Sequence, residues 1–163
     1  MPDHEAELSP TMRVRAQADV LYRAATECVR QRGRYSNLVA SSAADSELDS
    51  AWRVVSLCDE LLTEAVGAYE DAVAKDGGAA SETWWHQANA LWHSSREYTR
   101  RHREVEESSR RLGAHNPSKL TELALQYDLE ASSLLALDHA VASYRKCCPE
   151  AEQANGAKRA RAG

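Results

Sequence analysis

Residues 48–72 read LDSAWRVVSLCDELLTEAVGAYEDA, and within them Leu48, Ala51, Val55, Cys58, Leu62, Ala65, Tyr69 and Ala72 recur at alternating steps of three and four. A helix turns once in 3.6 residues, so this spacing draws one apolar seam along it; a half-buried strand would alternate every second residue. The rule holds in three further stretches. One carries Val14, Ala18, Leu21, Ala25, Cys28, Arg32 and Tyr35. Another carries Trp84, Ala88, Leu91, Ser95, Tyr98, His102, Val105, Ser109 and Leu112. The last carries Leu120, Leu123, Tyr127, Glu130, Leu134, Leu137, Val141, Tyr144 and Cys148. A 3.5-residue seam on every segment is the pattern of coiled-coil-like packing.

The punctuation between seams places the ends. Ser9-Pro10 and Asn116-Pro117 each set a capping residue before a proline at the first helical position. Asp45-Ser46-Glu47 and Ser81-Glu82 combine a cap with an acid in the first turn. Gly33, Gly77-Gly78 and Gly113 are the expected stops. Helices are therefore predicted over 10–35, 46–76, 82–112 and 117–148, with Leu38 and Val39 either extending the first or packing as a loop. Long helices joined by short loops form an all-α, antiparallel up-and-down four-helix bundle over 9–148. Residues 1–8 read as an acidic tail and 149–163 as a small, polar, disordered one.

Composition narrows the class. At 163 residues, with 43% hydrophobic and 28% charged, the chain is one ordinary globular domain able to build its own core. The formal charge of −5 argues against non-specific binding of nucleic acid by the whole surface. No apolar run spans a bilayer, and the acidic start lacks the apolar stretch of a secretory signal, so a cytoplasmic protein is expected. Cys28, Cys58, Cys147 and Cys148 form no CxxC pair and are expected as reduced thiols, the first two as small hydrophobes.

Function is sought where the seam is broken. His102 and Glu130 are the clearest breaks, and counting outward from the turn near residue 115 puts them at one height. Counting through the other turns brings Val55, Cys58 and Cys28 to the same layer. Two readings follow for Cys28, Cys58, His102 and Glu130. A buried His–Glu hydrogen bond would fix register with the thiols as filler, and this is the preferred reading. The alternative is a metal site, since all four are competent ligands. A di-iron centre would need Glu-x-x-His on two helices, and none occurs.

The catalytic signals are faint. HEPN-type helical nucleases place a histidine one to two turns after an arginine, a spacing met by Arg110–His115 and Arg96–His102. Six His and 16 Arg in 163 residues make about two such coincidences expected, so this RNase-like dimer reading with Arg110 and His115 stays a weak alternative. No phosphate-binding glycine loop or metalloprotease motif occurs, and no cofactor is expected. Arg96, Arg100, Arg101, Arg103, Arg110 and Arg111 crowd one end with Arg30, Arg32 and Arg34, but interleaved acids favour a mixed, solvated surface.

Trp85 and Trp92, one heptad apart beside the seam, and Trp52 on a similar flank, read first as core edge; if exposed, they would bind a partner. The expectation is a non-catalytic protein-interaction module: an adaptor, regulator or self-associating scaffold, with a homodimer plausible.

Overall fold

The computed structural model describes residues 9–77, 82–111 and 117–152, with 117–119 described as backbone alone. Four long helices follow in order: α1 Pro10–Ala40, α2 Asp45–Asp76, α3 Thr83–Arg111 and α4 Pro117–Cys147. There is no strand among the described residues. Helix α1 lies along α2 and α3 along α4, and the two hairpins face one another as an up-and-down bundle.

Three ends depart from the sequence reading. Helix α1 passes through Gly33 to Ala40, carrying Leu38 and Val39 with it. Glycine costs a helix interior about 1 kcal/mol, and the packing of Tyr35 on Trp52, ring centroids 5.0 Å apart, lies just beyond it. The left-handed stop falls instead at Ser42, φ 54°. At the start of α2 the cap is Ala44, whose N–H donates to the Glu47 carboxylate at 3.3 Å; Asp45 is already helical. Beyond α4, residues 149–152 do not trail away. Ala151 is buried against the core, and Glu150 meets Arg15 at 3.2 Å. Ser9 caps α1 as expected, accepting from Met12 N–H at 3.3 Å. Ser81, Gly78, Gly113, Asn116 and both outer tails, 1–8 and 153–163, lie outside the described residues.

The seams of α1, α2 and α3 are buried almost position for position, from Val14 to Cys28, from Ala51 to Tyr69 and from Trp84 to Val105. On α4 only Glu130, Leu137, Val141, Tyr144 and Cys148 of the expected seam are buried. Leu123 and Leu134 are half-buried, and Leu120 and Tyr127 are exposed. A strict seven-residue repeat drifts about 20° per heptad around a straight helix. Over the four heptads from Cys148 back to Leu120 that drift is about 80°, enough to carry the seam from the core onto the surface.

The interior differs along the length of the bundle. Around the start of α1 and the end of α4 the interior is apolar and aromatic: Tyr22 stacks on Tyr144 at 5.3 Å, with Leu21, Leu62, Leu91 and Leu137 fully buried. Further toward the end of α1, at mid-length of α2 and α4, it holds a layer of charged side chains, with Ala51, Val55 and Val105 buried beyond it.

Candidate functional site: a buried charged layer

Each helix sends one acidic or basic side chain into a single layer: Arg32 from α1, Asp59 from α2, His102 from α3 and Glu130 from α4. Arg32 donates through Nη2 to Glu130 Oε1. The Glu130 side chain is only 1% exposed, so this carboxylate is held inside the protein and Arg32 is its main partner. His102 Nε2 stands 2.8 Å from Asp59 Oδ2, and Nδ1 stands 3.5 Å from Glu130 Oε1. Glu106, one turn further along α3, approaches Nε2 at 3.4 Å from the rim. These contacts of the imidazole are charge contacts more than aligned hydrogen bonds, since neither ring nitrogen nor Asp59 Oδ2 meets a partner along the N–H direction.

Asp59 Oδ1 gathers two further donors, Cys28 from the expected layer and Tyr98 from the turn before His102. The Tyr98 hydroxyl donates to it at 3.0 Å and the Cys28 thiol at 3.5 Å. Aromatic rings wall the layer. Arg32 lies over the Trp52 ring at 5.4 Å, and Trp52 and Tyr98 flank the His102 imidazole at 5.9 and 6.0 Å.

The electrostatics follow from this geometry. Burial pulls the His102 pKa down, but Asp59 and Glu130 on its two sides outweigh burial and push it up to about 9. The ring is therefore an imidazolium at neutral pH, and two formal cations face two carboxylates. Burial, and then the neighbouring Asp59, push the Cys28 thiol and the Tyr98 phenol far up. Burial also raises Cys58, with Glu27 adding to it. None of these three is a ready nucleophile, because the thiolate or phenolate form is disfavoured.

The layer brings together His102, Glu130 and Cys28 as expected, with buried Cys58 beside them. It corrects the pairing: the closest partner of His102 is Asp59, and that of Glu130 is Arg32. Asp59 went unread because it follows the seam residue Cys58 and looks like the first residue of the solvated flank. Arg32 stands on the seam of α1, yet in sequence it belongs equally to the surface run Arg30, Arg32 and Arg34. Its height, matching two other polar seam residues, was the available signal. Among the described residues no group of three His, Cys, Asp or Glu side chains is placed to hold a metal ion, which removes support from the four-ligand alternative.

Two hollows adjoin the layer. A groove of about 520 Å³ between α2 and α3 opens onto Asp59 and His102, with Glu60, Arg103 and Arg110 on its walls. With a carboxylate facing each nitrogen, His102 favours the protonated form, which has no lone pair to offer as a general base. Arg110 is exposed and 3.8 Å from Glu106, while its proposed partner His115 lies outside the described residues. Arg96 and His102 do not converge: Arg96 lies over Trp92 on the surface. The second hollow, about 560 Å³, is lined by Arg32, Tyr35, Val39, Leu48, Trp52 and Tyr127.

The three tryptophans, read first as core edge and as a partner surface only if exposed, are half-buried and engaged. Trp85 packs edge-on to Trp84 and Trp52 packs on Tyr35, while Trp92 donates to Glu70 at 2.9 Å. The arginine-rich end is laced with ion pairs, Arg100 and Arg101 sharing Glu97 and Glu104. Compared with known proteins, the chain matches no family model, no curated protein and no solved structure, so the geometry alone carries the functional argument.

Proposed function

We propose that this protein is a non-catalytic interaction module of the cytoplasm, an adaptor, regulator or self-associating scaffold, and that it binds through the outer face of α4. The observation that carries the reading is the distribution of leucine around that helix. Besides its buried seam, α4 exposes Leu120 (53%), Leu125 (59%), Leu129 and Leu135 (72%), together with Tyr127. A surface helix of a globular protein normally shows one apolar stripe and a polar back, and a helix apolar all round is normally covered. From Glu122 to Asp138 there is no basic residue, and Asp128 is the one exposed carboxylate between those two. Depletion of charge over exposed leucine and tyrosine is the composition of an interface core. The stripe Val54, Leu57 and Leu61 on α2 is shorter and bordered by Arg53, Glu60 and Glu64. Four free thiols accord with a reducing compartment, and among the described residues no helix is long and apolar enough to cross a membrane.

In this reading the charged layer serves the surface indirectly. It selects one alignment of four similar helices and so keeps α4 facing outward with the same residues. A photo-crosslinking amino acid placed at Leu125 or Leu135 in the native host, with Arg100 as the control position, tests the proposal. Adducts to protein from the α4 positions and none from Arg100 are expected. Equal labelling at all three, or none anywhere, overturns it.

A further inference from the structure

We propose that the occupant of the α4 face is a second copy of this chain, its α4 antiparallel to the first about a two-fold axis passing between Tyr127 and Asp128. The inference rests on the interaction reading above and names its partner. Contacts between identical chains of this kind are isologous, so the same patch meets itself and must be complementary to itself. Leu120, Ala124, Tyr127, Ala131 and Leu135 follow one another by three or four residues, and all five are exposed along one side of α4. That stripe reads almost the same in both directions. Turned about the stated axis, Leu120 comes to lie opposite Leu135 of the second copy and Ala124 opposite Ala131. Tyr127 comes beside Asp128, a phenol against a carboxylate.

Size and charge agree with the arrangement. The two alanines stand one heptad apart at the middle, where small side chains let two helices approach, and the leucines close the contact at both ends. The stripe is about 22 Å long at 1.5 Å per residue. Antiparallel helix dipoles run favourably past one another. A partner chosen for strong charge would find little to pair with, since between Glu122 and Asp138 the exposed surface offers Asp128 alone. The hollow walled by Tyr35, Val39, Leu48 and Trp52, with Arg32, Ser36 and Asp49 among them, shares Tyr127 with the stripe and continues the surface across α1 and α2. A single-helix stripe with this extension is at the small end of stable interfaces, and a dimer of micromolar strength is expected.

The test uses the full chain. Native mass spectrometry and analytical ultracentrifugation over a micromolar concentration series read the dimer, and Ala131→Arg reads its location. Ala131 is exposed, so the variant keeps the helical circular dichroism and melting temperature of the parent while its dimer weakens by tenfold or more. In a Cys147→Ser background, oxidised mixtures of Ala124→Cys with Ala131→Cys are expected to give a disulfide-linked dimer several-fold above either protein alone. A parent that stays monomeric throughout the series overturns the proposal. If α4 photo-adducts to another protein form all the same, the interaction reading survives and only self-pairing fails. A dimer indifferent to Ala131→Arg, or a crosslink no stronger in the mixture, places the contact elsewhere and also overturns the proposal.

Discussion

Two regions of this bundle solve the same packing problem with different chemistry. At the end holding Val14, Leu62, Leu91 and Tyr144, four helices meet through apolar and aromatic side chains whose burial favours association without dictating one alignment. Near mid-bundle Arg32, Asp59, His102 and Glu130 meet at one height, and a one-turn slip of any helix would strand a charge inside the protein. The apolar end supplies stability. In the proposed reading the charged layer selects one alignment among four Ala- and Leu-rich helices.

Single truncations break this contrast most strongly. Glu130→Ala leaves Arg32 and His102 without their shared carboxylate, and a loss of about 3–5 kcal/mol is expected in urea unfolding. Leu91→Ala, at the apolar end, is expected to lose about 2–5 kcal/mol through the cavity it opens. The two separate under full replacement. Exchanging Arg32, Asp59, His102 and Glu130 together for apolar residues of similar volume should be neutral, or stabilise by about 1–4 kcal/mol. The cost should appear as poorer dispersion in an amide NMR spectrum, as helices sample more than one alignment. A quadruple variant with a parent-like, sharp spectrum would refute the assignment of register to the layer.

Titration sharpens the comparison with a smaller effect. The folded pKa of His102 is raised, to about 9 from an ordinary 6.5. Between these values the native state holds a proton that the unfolded chain has released, so stability falls as pH rises. The contribution is whole below about pH 6.5 and is lost as pH climbs through 9. Melting temperature should decline across that window in the parent and stay level there in the quadruple variant. An identical decline in both would assign the effect to other groups.

The smallest expected change concerns the part of α1 that leads into the charged layer. Gly33 is exposed, and a Cβ built on it meets nothing within 4 Å. Gly33→Ala should therefore stabilise by about 0.5–1 kcal/mol by restricting the unfolded chain and favouring the helix. A loss of stability would mean that α1 needs a bend there.

Much of this was legible in the residues. The 3.5 seam named nearly every buried position of α1, α2 and α3, because side-chain direction on a helix follows directly from spacing. His102 and Glu130 stood out as polar residues on that seam, and both are buried at one height. Asp59 and the true pairing were not legible. A residue beside the seam turns inward or outward according to the neighbouring helix, and spacing within one helix carries no information about that neighbour.

The sequence by itself determined four helices, their antiparallel order and the polar breaks in the core, all set by local periodicity and capping. Only the tertiary structure decided which charges meet, that the imidazole lies between two carboxylates, and that the first half of α4 turns its leucines outward. Those outcomes depend on the drift of a seam around a straight helix and on the distances between side chains far apart in the chain, and neither is written in any single segment.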